Sequence, residues 1–172
     1  LLSSGVLAAS LLAASGDKDA QARLLPGIAA GTTIATVAIT GDAGTWTPEG
    51  VTVDAKSVNG NARLAGVASY VTHGQIANLL LVVAKTGSGM GIFEVDANAA
   101  GLRRSALPSF DKTLRLARLE FADTPARQVG QMGWPAVQSA LDVALVALAG
   151  EQVGGGRRIF DITVEYAKTR IQ

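Results

Sequence analysis

Ser69, Tyr70, Val71 and Thr72, followed by His73-Gly74, are the residues whose types and spacing best suit binding chemistry. In an extended segment alternate side chains point to opposite faces. Tyr70 and Thr72 are therefore expected on one face, and Val67, Ser69 and Val71 on the other. An aromatic ring beside a hydroxyl, backed by a packed face, can floor a pocket for a flat ligand. Other chemistries are poorly supplied. His73 is the only histidine and there is no cysteine. That excludes a Ser-His-Asp triad built elsewhere, His-rich or Cys-ligated metal sites, and a disulfide framework. His73 itself is expected in a turn or on the surface. Thr86 to Gly91 has closely spaced glycines, but Ile92 to Asp96 after it reads as a strand, whereas a dinucleotide fingerprint needs a helix there. It is expected to be a hairpin loop.

Several elements must position this stretch. The opening LLSSGVLAASLLAAS is rich in good helix formers over residues 1–15. It lacks a basic leader and is too short to span a bilayer, so a buried helix is expected rather than a targeting segment. Asp17 or Asp19 is placed to cap a second helix, Ala20 to Ile28, in which Pro26 is a distortion. Strand signals follow: Ile34 to Thr40, then a loop from Gly41 to Thr45, then Val51 to Lys56 with Val51, Val53 and Ala55 on one face. Asn59-Gly60 is a strong hairpin signal that turns the chain into the strand carrying Tyr70. Gly66, where the alternation changes phase, is expected at a bulge or bend. Leu79 to Ala84 is continuously apolar, as in a central strand buried on both faces. Thr113 to Phe121 alternates Ala117, Leu119 and Phe121 against Arg118 and Glu120, and Asp123-Thr124-Pro125 leads out of it. From Trp134-Pro135 the period becomes helical, with Val137, Leu141, Leu145 and Leu148 in one stripe continuing to Tyr166 and Ile171. Gly154, Gly155 and Gly156 weaken that helix and call for close contact with another helix or backbone. Arg157 and Asp161 are spaced to pair across one turn.

The 172 residues suffice for one domain with a real core. Hydrophobic residues make up 48% and charged residues 17%, which argues against disorder. The 15 basic residues nearly balance the 14 acidic ones and form no stripe, so nucleic acid is not an expected partner; nor is a membrane. The pattern is α+β: a small β-barrel or sandwich flanked by helices. The missing initial Met and the ending Arg170-Ile171-Gln172 suggest a fragment of a longer protein.

Three motifs, in order and at fitting distances, resemble the central part of the acyl-CoA dehydrogenase family. Ala38-Ile39-Thr40 is similar to the family's Leu-Thr-Glu, and Ala43-Gly44-Thr45 to its Ala-Gly-Ser. Leu64 to Gly74 is similar to Leu-x-Gly-x-Lys-x-Trp-Ile-Thr-x-Gly. Leu148-Ala149-Gly150-Glu151-Gln152-Val153-Gly154 and Tyr166-Ala167-Lys168-Thr169-Arg170 resemble the start of the family's carboxy-terminal domain. The resemblance implies three parts: 1–33 as the end of an amino-terminal helical domain, 34–130 as the middle β domain, and 131–172 as the first long helix of the carboxy-terminal domain. It further implies an FAD site. Ile39, Thr40, Gly44 and Thr45 would meet the flavin and its pyrophosphate. Tyr70, Val71 and Thr72 would occupy the Trp-Ile-Thr positions beside the ring, with the Thr72 hydroxyl at its reactive nitrogen. Implied partners are an acyl-CoA substrate, an electron-transfer acceptor, and further subunits of a homo- or hetero-oligomer, typically a tetramer.

The departures are specific. The family's Glu-Pro is Gly41-Asp42 here, its Trp is Tyr70, and its Lys is Ala68. The catalytic carboxylate is expected beyond Gln172. The alternative family position falls at about Ala144, which has no acidic group, and Glu151 reads as a helix-packing or solvent residue. These departures leave open a non-catalytic subunit of the same fold, and, apart from the family, a plain β-sandwich ligand-binding module.

Overall fold

The computed structural model describes residues 2–58 and 61–171. The expected Asn59-Gly60 turn lies outside them. Helix α1 (Leu2–Ala14) opens the chain, its first seven residues in wider π-type turns. It buries Ala8, Leu11 and Leu12, as expected of a packed helix. Helix α2 (Lys18–Ala29) runs through Pro26. Seven strands follow: β1 (Ala35–Ala38), β2 (Val53–Val58), β3 (Asn61–Thr72), β4 (Leu79–Thr86), β5 (Gly89–Asp96), β6 (Leu102–Ala106) and β7 (Leu116–Gln128). Helix α3 (Trp134–Thr169) closes the described chain.

Strands β4, β2, β3, β7 and β5 pair in a ring, because β5 also pairs with β4. The seam between β2 and β4 is narrow, a single pairing of Asp54 with Lys85. Strand β1 adds to β4 in parallel, and β6 adds to β7. This fold is α+β with a five-stranded barrel. The barrel explains the uninterrupted apolar run of β4. Leu80, Val82 and Ala84 point into a core shared with Val53, Leu64, Val71, Phe93 and Leu119. Leu79, Leu81 and Val83 point out, into a second core shared with Leu11, Leu12, Val37, Ile92 and Val137. Both faces therefore leave water, and the run needs no polar residue.

Asp17 ties the helices to the sheet. Its carboxylate accepts the Ala20 N–H at 2.9 Å as the cap of α2, and the Gly130 N–H at 3.0 Å. These two bonds, Ala20 first, hold its pKa below the ordinary 3.8. A folded-state pKa depressed in this way gives stability that is complete above the ordinary value and lost as pH falls through the folded one. Asp17→Ala is expected to cost about 1–2 kcal/mol at neutral pH. The gap to the parent protein should narrow below about pH 4, as read by denaturant unfolding over a pH series.

Several expectations need correction. Val51 does not share a face with Val53 and Ala55. It precedes β2 and packs in the outer core, whereas the other two face the barrel interior. The strand expected over 113–121 starts at Leu116 and continues through Asp123-Thr124-Pro125 to Gln128. Two residues, Ala122 and Asp123, oppose Ala65 alone, and the bulge at Asp123 (φ +53°) lets Pro125 remain in the strand. The register shift beside Gly66 is thus carried by β7. Thr86 and Gly89 pair directly, so the hairpin loop shrinks to Gly87-Ser88. Strand β6 has no β-branched or aromatic residue to signal it. In α3, Val137 is buried, but Leu145 of the same stripe is 61% exposed. A methyl group added at Gly154, Gly155 or Gly156 would meet nothing within 4 Å, so the close contact expected there is not made within the described residues.

Candidate flavin-binding face

The site is built where the end of β1 meets the end of β3. After β1 the chain passes Ile39, whose side chain enters the outer core, and Thr40, which is buried. The Thr40 carbonyl accepts the Ser69 N–H at 2.8 Å, which joins the two segments. The loop from Gly41 folds back on itself. Gly41 N–H bonds to Gly50 O at 2.9 Å, Gly44 N–H to Gly41 O at 3.0 Å, and Gly50 N–H to Thr47 O at 3.0 Å. Gly44 has φ +70°, a conformation that glycine adopts without steric cost.

Strand β3 bulges at this point. Ala68 pairs with Leu119 and Val71 with Ala117, so Ser69 and Tyr70 together oppose Arg118. The bulge resets the alternation. Ala68 and Val71 both enter the barrel core, and the expected grouping of Val67 with Val71 is replaced. Tyr70 is thrown outward, at φ +58° and 43% exposed. Its ring lies over Gly44, where an added methyl group would sit 3.4 Å from Cε2. Its hydroxyl donates to the Asp42 carbonyl at 3.0 Å.

Thr72 follows on the outer face, half-buried. Its carbonyl accepts the Thr36 hydroxyl at 2.6 Å, which fixes its backbone. Its own hydroxyl has no hydrogen-bond partner among the described residues, and the same holds for the exposed Thr45 hydroxyl. Of the residues the sequence singled out, Tyr70, Thr72, Gly44 and Thr45 present side chains or open backbone. Ile39 and Val71 have only main chain to offer, and the Thr40 hydroxyl is turned onto Gly41 O at 3.4 Å.

His73 belongs to the turn after β3. Its N–H bonds to Arg115 O, its carbonyl accepts from Ile76 and Ala77, and its Nδ1 meets the Ser3 hydroxyl at 3.0 Å. It ties α1 to the turn. Among the described residues no three His, Asp or Glu side chains gather as metal ligands. Open cavities of about 480 and 560 Å³ lie around Asn61, Ala126 and Arg127 and include none of the residues named for the flavin. The candidate face is an open surface.

Sequence reasoning missed the charges behind this face. Asp42 accepts the Ser69 hydroxyl and both Nε (3.2 Å) and a terminal nitrogen (3.3 Å) of Arg118. Arg118 also pairs with Glu120. The guanidinium, and then the Ser69 hydroxyl, hold the Asp42 carboxyl below its ordinary range. The polar face of β7 signalled an outward Arg118, but nothing local pairs it with a residue 76 positions away.

No protein-family model matches the sequence. The chain is 31% identical over 172 residues to acyl-CoA dehydrogenase FadE27 of Mycobacterium tuberculosis, across 99% of this chain and 44% of that protein. It superposes on one chain of the ChsE4-ChsE5 complex from Mycobacterium tuberculosis with a TM-score of 0.86 and 30% identity, over 99% of this chain and 46% of that one. The chain belongs to the acyl-CoA dehydrogenase family. A glutaryl-CoA dehydrogenase from Mycobacterium smegmatis in complex with FADH2 shares the fold at a TM-score of 0.90 and 20% identity, over 98% of this chain and 46% of that one. The dehydrogenase-family chain spans less than half the length of the relatives it matches.

Proposed function

We propose that this chain is the central part of an FAD-dependent acyl-CoA dehydrogenase, and that the face formed by Gly44, Thr45, Tyr70 and Thr72 holds the flavin. The observation that carries this reading is the bulge of β3. It turns the exposed Tyr70 ring outward two residues before Thr72, whose hydroxyl has no hydrogen-bond partner among the described residues, with a glycine-centred loop against the ring. These residues fit a flat, polar-edged ring system. Tyr70 offers a ring edge, Thr72 a hydroxyl for a ring heteroatom, and Thr45 a hydroxyl for a phosphate oxygen. The main chain of Ile39, Thr40 and Val71 lines the approach.

Bound flavin supplies the hydride acceptor for α,β-dehydrogenation of an acyl-CoA thioester. The chain's own residues orient it and tune its ring by hydrogen bonding. The base for the α proton is assigned outside residues 1–172. Asp42 is tied to Arg118, which lowers its pKa and weakens it as a base, Ala144 is a methyl group on α3, and Glu151 is exposed on that helix. The remaining chain would supply helices to cover α3, where Val146, Val153, Ile159 and Phe160 are all more than 60% exposed. Helix α3 is also long and apolar enough by composition to cross a membrane. Its Arg157–Asp161 pair at 3.1 Å and the neighbouring Arg158 and Glu165 favour a helical bundle instead. The division at 1–33, 34–130 and 131–172 belongs to this reading, as do oligomerisation and an electron-transfer acceptor.

In the complete protein, Thr72→Val combined with Tyr70→Ala removes one hydroxyl contact and one aromatic contact. Together these are worth about 2 kcal/mol, or roughly 30-fold in FAD affinity. Equilibrium dialysis or fluorescence titration with FAD measures it, alongside a folding check by circular dichroism. Unchanged affinity would remove these residues from the site. A second reading, a non-catalytic subunit that assembles with an active relative, is favoured by the likeness to a two-protein complex and by the altered residues Asp42 and Ala68. It predicts that the complete protein turns over only when co-expressed with a related chain.

A further inference from the structure

Asp42 and Tyr70 both depart from the family's pattern, and the structure joins them. Adjacent residues of one bulge grip the same loop residue by different groups: the Ser69 hydroxyl takes the Asp42 carboxylate, and the Tyr70 hydroxyl takes the Asp42 carbonyl. Arg118, directly opposite the bulge, closes the arrangement with two contacts to that carboxylate. The ring of Tyr70 then rests on Gly44, two residues further along the loop.

The geometry points to a clamp in which Ser69, Tyr70 and Arg118 fasten Asp42, so that the 41–45 loop is already in its ligand-ready position before any cofactor arrives. Its members are positioning residues. A tryptophan at position 70 supplies a ring but no hydroxyl within reach of the Asp42 carbonyl. A loop residue without a carboxylate leaves the Ser69 hydroxyl without its acceptor and Arg118 with Glu120 alone. The two departures are therefore halves of one device. Preorganisation of this kind strengthens binding by removing the cost of ordering the loop at the moment of association. The charge-assisted contacts to Arg118 are the stronger members of the set. The low-lying Asp42 carboxyl keeps the clamp charged throughout the neutral range.

This inference rests on the flavin reading, and its test separates the two. Trp46 lies just beyond the loop and is 48% exposed; the difference between each protein and its Trp46→Phe counterpart, in which Trp134 still emits, reports on loop order without any ligand. In the complete protein, Ser69→Ala, Tyr70→Phe and their double variant are compared with the parent by iodide quenching of tryptophan emission in the cofactor-free state, and by FAD titration. Thermal melts confirm that each variant is folded. The clamp predicts greater Trp46 quenching in the double variant and FAD binding weakened about 5-fold by Tyr70→Phe alone. Unchanged quenching and unchanged FAD affinity in folded variants would overturn the clamp. Raised quenching in a protein whose parent binds no FAD would keep the clamp and reject the flavin reading.

Discussion

Gly66→Ala is expected to destabilise the protein by about 3 kcal/mol or more. Gly66 sits at φ +128°, which residues with a side chain rarely adopt, and an added Cβ would lie 2.3 Å from the Thr52 carbonyl oxygen and 2.9 Å from Val53 Cα. The backbone conformation alone costs about 1–3 kcal/mol, and the overlap adds a similar amount. The neighbour cannot yield easily. Val53 pairs with Gly66 in the β2–β3 ladder, and its side chain is fully buried in the barrel core. Strands β2 and β3 would have to part at the point where β3 turns towards Tyr70. Denaturant unfolding measures the loss, and a midpoint equal to the parent's would contradict the described packing.

Gly50→Ala is expected to act on the site rather than the whole fold. A Cβ at Gly50 would stand 1.9 Å from the Thr45 carbonyl oxygen. No rotation of a side chain relieves this, because the obstacle is main chain. The Thr45 segment must move away, taking Gly44 and the Thr45 hydroxyl with it. Losing the Thr45 hydroxyl and Gly44 backbone contacts is worth about 1–2 kcal/mol, so FAD affinity in the complete protein should fall about 10-fold. The barrel stays closed, since the 41–50 loop lies outside the five-stranded ring. Titration with FAD and a thermal melt of the same sample separate the two effects. Normal affinity in the folded variant would show that the loop does not touch the cofactor.

What could be read from the sequence follows the range of each interaction. The two-faced burial of β4 is written in six consecutive apolar residues, whereas the outward turn of Tyr70 comes from the bulge rather than from simple alternation. The irregularity beside Gly66 was legible in the change of phase of the alternation, although its extra residue lies on β7. Strand β6 was not. Leu-Arg-Arg-Ser-Ala carries no strand preference and is held by its pairing with β7. The Ser69–Tyr70 bulge was hidden for a related reason. It exists because Arg118 faces two residues of β3, which is a property of two strands brought together. The Asp42 clamp depends on the same long-range register. Of the residues the family motifs picked out, Gly44 and Tyr70 lie against each other, but the charges that fasten the loop had no local signature.

The most direct test of the account is the visible absorption spectrum of the complete protein after incubation with FAD and desalting. A flavin band retained in near one-to-one amount, and lost from the Thr72→Val, Tyr70→Ala variant, is the predicted result. A folded protein that emerges colourless, in the presence as well as the absence of any co-purifying relative, would contradict the assignment of this face to a flavin.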